Sequence, residues 1–428
     1  MEVVLKFFQG FINMGASTLL PFVIAILGIF FGMKIGRAIK AGLLVGIGFQ
    51  GLVLAVNLLI TSVTPAMQYY KDLGSGYDTL EIGFAALGAA SWTTPFAVLV
   101  IPAIIIANLI LVRLKVTKVL NVDIWNFMHF LVPGALAYAL TKNAVIGFIV
   151  AFACGMAVLF FGQWIAKPWQ EFFAQTFAPG RSFGTTCTCL CFVAWAYPIC
   201  YLLNKIIDKI PGLNKVDVDM TKIGEKLGIF GDPAVIGIFA GVFLGVITKQ
   251  SPADIVTMAM GVAAAMVLIP RMVSIMMEGL SPLGQAASEY AHRKVGEDAD
   301  IYIGMDIALG LGDPACITCT AIMIPVTVLL VFLVPGMRFF PLSLLAEVCY
   351  MTPMVVLSSK GNLVRSLIGM TLMMYLTLFF ANMFIPEATQ MMSVTNVHFA
   401  GTVTASHFGW NPGNLIVSFI HRIMMMIG

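Results

Sequence analysis

Charge is scarce in this chain: of 428 residues, 24 are lysine or arginine and 21 are aspartate or glutamate, 11% together. A soluble globular domain carries about 25% charged residues, so this composition does not supply an ordinary aqueous surface. The lysines and arginines behind the net charge of +3 sit in short segments and build no single basic face, so there is no nucleic-acid signal. The sequence also contains no Walker A loop and no His-Glu-x-x-His helix, so neither nucleotide hydrolysis nor zincin chemistry is expected on this chain. No catalytic residue, metal or cofactor is assigned.

Apolar sequence is what the chain has in abundance. Hydrophobic residues make up 60% of it and the mean hydropathy is +0.96. Uncharged runs recur at Phe11 to Met33, Ala41 to Ser62, Ala144 to Ala166, Ile255 to Pro270 and Ser366 to Ile385. A spanning helix needs roughly 20 such residues, so about ten to twelve crossings fit. Backbone groups in lipid must be satisfied internally, and these runs lack the alternating polarity of barrel strands. The expected fold class is therefore an all-α polytopic membrane protein forming a single integral membrane domain over residues 1–428. The amino-terminal "MEVVLKFFQGFINMG" mixes an acid and a lysine and has no small-residue cleavage site, so its apolar run is expected to be retained as a span. No soluble domain is expected at the other end.

Eight cysteines invite a metal or redox reading, chiefly Cys187, Cys189 and Cys191 in "CTCLC" and the pair Cys316 and Cys319. Zinc needs four converging ligands, and neither group has a matching second cluster in sequence. The expectation is that these cysteines pack as small hydrophobes.

Sliding the chain against itself by 213 positions brings Gly28, Gly32 and Gly48 onto Gly241, Gly245 and Gly261. With a slight drift, Pro65 then meets Pro282, Glu81 meets Asp300, Pro95 meets Pro314 and Lys142 meets Lys360. An ordered set of this kind indicates two repeats, the first near 14–165 and the second near 229–385. Residues 166–228 form a linker span and a charged loop, and 386–428 form a polar segment with a final span. Counting crossings leaves the relative orientation of the repeats open.

Two places break the helical pattern. Residues Ile82 to Val112 carry no charge over 31 positions and hold "SWTTP", Ser91 to Pro95, at their middle. That run is too long for one crossing and too short for two with a loop, so a re-entrant hairpin or broken helix is expected. The second half carries "LGLGDP" at the matching point. Irregular backbone at membrane depth is tolerated only where protein or a water-filled cavity surrounds it, and paired interruptions point to a transport site. The segment "SVTNVHFAGTVTASHFGWNPGN" before the last apolar run reads as a loop, with the alternatives that it caps the bundle or lines an entrance. Lys34, Arg37 and Lys40, between the first two runs, favour the cytoplasmic side there.

Ionisable residues inside apolar sequence are functional candidates, because each costs roughly 2.5 to 3.5 kcal/mol to insert. They are His129, Glu278, Asp306, Asp313 and Glu347. Asp313 precedes Pro314, a helix-start signal that makes it an N-cap as well as a possible ligand contact. The expectation is that Asp313→Asn weakens substrate binding. Asp306 lies seven residues earlier and shares its face if the segment is helical. His129 meets Glu347 in the repeat alignment, and carboxylates with a neutral imidazole suit the hydroxyls of a polyol or sugar. Trp92 with Thr93 and Thr94 sets an aromatic face beside hydroxyls, although interface tryptophans also serve as anchors. Glu278 either caps a loop or pairs with Arg271.

Six stretches together carry a family resemblance: "KAGLLVGIGF" at 40–49, "NVDIWN" at 121–126, "KIPGLN" at 209–214, "FGDPAVIG" at 230–237, "GLSP" at 279–282 and "GMDIALGLGDP" at 304–314. The chain resembles the galactitol-type IIC permeases of the bacterial phosphoenolpyruvate-dependent sugar phosphotransferase system, which are related to ascorbate IIC transporters. The resemblance implies about eleven transmembrane helices, two inverted repeats with re-entrant hairpins, core and scaffold or gate domains, and a homodimer in the bacterial inner membrane. It implies elevator-type translocation of a galactitol-like polyol, phosphorylated by a separate cytoplasmic IIB protein that is served in turn by IIA. It implies substrate contacts from Trp92, Thr93, Thr94, His129, Asp306 and Asp313, with Glu347 beside them from the repeat alignment. Where relatives carry a His-Gly-Thr-Ser-like segment this chain has "CTCLCF", which leaves the choice of polyol open. The rival class is an ion-coupled secondary transporter of a sugar, polyol or organic anion, with Asp313 or Asp306 as the ion site.

Overall fold

The computed structural model describes residues 16–72, 78–91, 93–121, 123–177, 179, 184–213, 216, 232–295, 301–395 and 401–427. Helices dominate, as the uncharged runs require. The first half begins with α1 (Ala16–Phe30) and the long α2 (Ile35–Asp72). It continues through β1 (Thr79–Glu81), α3 (Gly83–Ser91), α4 (Ala97–Arg113), β2 (Val119–Asn121), α5 (Met128–Thr141), α6 (Ala144–Phe177), β3 (Thr185–Cys187) and α7 (Tyr197–Ile207). After Pro233 a similar succession follows. It consists of α8 (Pro233–Ile247), the long α9 (Pro252–Val295), β4 (Tyr302–Met305), a 3-10 turn over Ile307–Gly312, α10 (Pro314–Leu330), α11 (Leu342–Ser358), α12 (Leu363–Met383), α13 (Ile385–Ser393), β5 (Thr402–Thr404), α14 (His407–Trp410) and α15 (Pro412–Ile427).

Among the described residues three helical stretches are long and apolar enough to cross a membrane: Ala144–Phe177, Pro314–Leu333 and Leu363–Met383. Shorter apolar helices include Met128–Thr141, Pro102–Arg113 and Pro412–Ile427. Large apolar side chains point outward along these elements, with Leu99 65% exposed and Val256 63%. Such exposure suits a lipid surface and not an aqueous one. Helices α2 and α9 lie along each other, with α1 on α2 and α8 on α9. Glycines let the long pair approach: a Cβ at Gly279 would meet Val45, and one at Gly51 would meet Met272. Small residues at a helix contact are the usual means of close packing in membranes.

The 31-residue uncharged run is a helix, a break and a second helix, α3 and α4, with the turn at Thr93 to Phe96. Trp92 lies outside the described residues, as does Asp300, the sequence partner of Glu81. In the second half the 3-10 turn gives way to α10 at Asp313. Lys142 and Lys360, which the self-comparison aligned, both follow a helix and both have left-handed backbone, at φ 56° and 53°. Helix α6 continues past position 165 to Phe177, and Arg37 and Lys40 belong to the first turns of α2.

Five short strands occur in a chain expected to be helical throughout. β1 pairs in parallel with β5, Glu81 opposite Thr404. β4 lies between β2 and β3, both parallel to it. The strands flank the two broken helices, where backbone freed from helical bonding must find partners inside the protein. Each broken helix thus starts from a strand paired with a segment of the opposite half.

Candidate functional site

The polar residues buried between these strands build the site. Asp306, immediately after β4, has extended backbone (φ −68°, ψ 151°), and its Oδ1 accepts the Ala308 amide at 2.6 Å. That is an N-cap: a short acidic side chain satisfies an amide that the 3-10 turn leaves unpaired. Among the described residues its Oδ2 has only the Cys189 thiol near it, at 3.6 Å, and so retains acceptor capacity. The one Cys189 proton has its nearer acceptor in Asn126 Oδ1 at 2.9 Å, and the sulfur accepts the Ile307 amide at 3.2 Å. The thiol fastens the start of the second broken helix to the segment before α5.

His129, in the first turn of α5, is 2% exposed. Its Nδ1 lies 2.9 Å from His407 Nε2 and 3.1 Å from Cys191 Sγ. The two imidazoles are nearly parallel, with centroids 5.0 Å apart and planes at 12°. His407 Nδ1 accepts the indole N–H of Trp410 at 3.3 Å. The Asn411 side-chain amide donates to the His129 carbonyl at 2.9 Å, and Asn414 donates to that of His407 at 3.2 Å. The carboxy-terminal segment read from sequence as a loop therefore reaches the centre of the protein, and its His407 and Trp410 are fully buried.

These elements enclose a cavity lined by Phe84, His129, Phe192, Asp306, Ile307, Tyr350 and Trp410. Its free space has room for about one water molecule. Its walls are aromatic: Phe84 sits 5.3 Å from Tyr350 and 5.6 Å from His407, and Phe192 sits 5.5 Å from Trp410. Aromatic faces pack against apolar C–H surface, while a carboxylate oxygen and ring N–H groups meet hydroxyls. A ligand with both surfaces, such as a polyol, matches this set.

Glu347 and Glu81 hold the frame. Glu347 is buried on α11, where its Oε1 accepts the Phe84 amide at 2.8 Å and its Oε2 the Ser406 hydroxyl at 2.5 Å. It thereby joins the first broken helix to the carboxy-terminal segment beside His407. Glu81 accepts the amides of Gly83 at 3.0 Å, Ser343 at 2.7 Å and Leu344 at 3.3 Å, capping two helices at once. Gly83 has φ 73°, and a Cβ there would stand 2.8 Å from Glu347 Oε1 and from Ser343 Cβ. Only glycine lets the two carboxylates address adjacent amides at this point.

The other sequence candidates fall elsewhere. Asp313 caps α10, its Oδ1 accepting the Ala315 and Cys316 amides at 3.0 and 3.4 Å and its Oδ2 the Thr176 hydroxyl at 2.6 Å. It does not line the cavity. Thr93 and Thr94 donate to the carbonyls of Ala90 and Ser91 at 2.8 and 2.7 Å, closing the turn between α3 and α4. Glu278 is exposed on α9. Sequence reasoning did not find His407, Trp410, Tyr350, Phe84 or Phe192, nor the hydrogen bonding of Cys189 and Cys191. The only signal for the first two is the polarity of the "TASHFGWNPGN" stretch between apolar runs.

His129 Nδ1, Cys191 Sγ and His407 Nε2 all lie within 4.8 Å of one another, and their types suit zinc. The surroundings do not. A metal on His407 Nε2 would leave the proton on Nδ1, facing the Trp410 N–H, whereas ligating histidines set that nitrogen against an acceptor. The cluster fits protons, not a metal ion.

Residues 10–403 match the model of the family described as the sugar-specific permease component of the phosphotransferase system. Two relatives, the phosphotransferase-system galactitol-specific EIIC components of Escherichia coli strain K12 and of Escherichia coli O157:H7, are each 32% identical over 399 residues. The alignment covers 92% of this chain and 86% of theirs.

Proposed function

We propose, for a chain that belongs to the family of phosphotransferase-system sugar-specific permease components and is thus a membrane protein, that its cargo is galactitol or a polyol like it. The observation that carries this reading is the buried cavity in which Asp306 and His129 face aromatic walls. Two carboxylate lone pairs and an imidazole N–H bind hydroxyls, and the rings of Phe84, Tyr350 and Trp410 cover the carbon chain. The galactitol-specific relatives support the same class of cargo.

In this reading the chain is multi-pass in the bacterial inner membrane, with about eleven spans. Two inverted repeats, near 14–165 and 229–385, each contribute one re-entrant broken helix. The reciprocal strand pairing, β1 with β5 and β4 with β3, supports that arrangement. A core bearing the cavity moves elevator-fashion against a homodimeric scaffold and presents the polyol to a cytoplasmic IIB protein, itself recharged by IIA. Phosphorylation of the polyol by IIB traps it inside. The narrowness of the cavity supports a cycle in which the walls part to admit cargo and close around it.

The test uses sealed vesicles holding the full chain, labelled galactitol outside, and either phosphorylated IIB inside or an imposed proton gradient. Accumulation of galactitol phosphate that requires IIB is the expected result. Gradient-driven accumulation of free galactitol without IIB overturns the reading in favour of ion-coupled transport.

A further inference from the structure

We propose that His407 and Trp410 are positioning residues that fix the tautomer of His129, so that its Nε2–H is the edge offered to the cavity. The argument runs inward from Trp410. An indole nitrogen is a donor only, so the 3.3 Å contact to His407 Nδ1 requires a lone pair on that atom. A neutral imidazole carries one proton, which for His407 must then sit on Nε2. From there it is donated to His129 Nδ1, 2.9 Å away. His129 Nδ1 is consequently an acceptor, its one lone pair taken by the His407 proton, with the Cys191 sulfur 3.1 Å from the same atom. The proton of His129 is therefore on Nε2, which has no hydrogen-bond partner among the described residues, on a ring that lines the cavity.

The surrounding elements hold this chain of donors in one direction. Asn411 fixes the backbone of His129, Asn414 that of His407, and Phe84 stacks on His407 at 27°. A second proton on His407 would set its Nδ1–H against the Trp410 N–H. The relay thus keeps both rings neutral and delivers one donor to the ligand space. Asp306, across the cavity lining, supplies the complementary acceptor. A hydroxyl that accepts from His129 and donates to Asp306 satisfies both, which selects a hydroxyl over a carbonyl or an ether oxygen at this point. The ligand half of this inference rests on the polyol reading, whereas the tautomer half does not.

The experiment is nitrogen-15 NMR of histidine-labelled full-length protein, assigned through His129→Asn and His407→Gln, with galactitol binding measured on the same samples. The expected spectrum has His129 protonated at Nε2 in the parent protein. It is retained in His407→Gln, whose side-chain amide donates to His129 and whose oxygen accepts from Trp410. Trp410→Phe removes the fixed direction and gives mixed tautomers at His129. His407→Phe lowers galactitol affinity roughly tenfold, and His407→Gln restores it. A parent protein with His129 protonated at Nδ1 overturns the proposal. So does an unchanged tautomer in Trp410→Phe, or a stoichiometric zinc ion lost on Cys191→Ser. A fixed Nε2–H tautomer in a protein that binds no galactitol overturns the polyol reading and leaves the relay standing.

Discussion

The two broken helices each begin from a strand with a buried acid at its end, and the two acids do different work. Glu81, the last residue of β1, has both oxygens committed to backbone amides: Gly83 at the start of its own helix, and Ser343 and Leu344 at the start of α11. Asp306, after β4, commits one oxygen to the Ala308 amide and leaves the other against a thiol at 3.6 Å, on a residue that lines the cavity. A fully capped carboxylate is part of the scaffold, whereas a half-capped one remains able to accept from a ligand. The geometry of the caps, and not the burial of the charge, separates the frame from the site. Both acids are buried to a similar degree, at 2% and 4% exposure.

The sharpest way to break this contrast is to neutralise Asp306. Asp306→Asn keeps an oxygen for the Ala308 amide but removes the charge from the cavity. A hydrogen bond to a charged group contributes about 1.5–3 kcal/mol, so galactitol affinity is expected to fall roughly tenfold to a hundredfold with little change in thermal stability. Calorimetric titration of the detergent-purified protein measures the affinity, and a thermal scan of the same sample measures the stability. Glu81→Gln should behave in the opposite way. Its amide group confronts the Ser343 or Leu344 N–H, a donor against a donor, and costs about 1–3 kcal/mol of stability. The affinity of the folded fraction should stay within about twofold, as expected of a substitution outside the ligand contacts. Equal losses of affinity in the two variants would erase the distinction.

Asp313 sharpens the comparison at the smallest scale. Asp313→Ala removes the cap of α10 and should cost about 1 kcal/mol, read as a lowered unfolding midpoint. Asp313→Asn keeps an acceptor and should cost less. Neither variant should change galactitol affinity beyond about twofold, contrary to the expectation that burial alone suggests. A larger loss would return Asp313 to the ligand site.

The helical class, the two interruptions and the presence of Asp306 and His129 within apolar sequence are legible, because each rests on local chemistry. An uncharged run must be helical in lipid, Asp-Pro starts a helix, and an acid amid apolar residues is costly unless held. What lies beyond local chemistry is not legible. His129 and His407 are 278 positions apart and meet only through the fold. The short strands carry no periodic signal over three or four residues. Cys189 and Cys191 are buried and free of disulfides, as packing residues are. The Cys189 thiol nevertheless bonds Asn126 and the Cys191 sulfur lies 3.1 Å from His129 Nδ1, which composition cannot reveal. Asp313 and Glu347 stand out in sequence for the same reason as Asp306, and only their partners show that they hold backbone and hydroxyl groups together.

The most direct test of the central claim is a structure of the full chain with galactitol bound. Ligand density between Asp306 and His129, covered by Phe84, Tyr350 and Trp410, is the predicted result. Density instead at the turn between α3 and α4 or against Asp313, with the Asp306 cavity closed as it is here, would contradict the account.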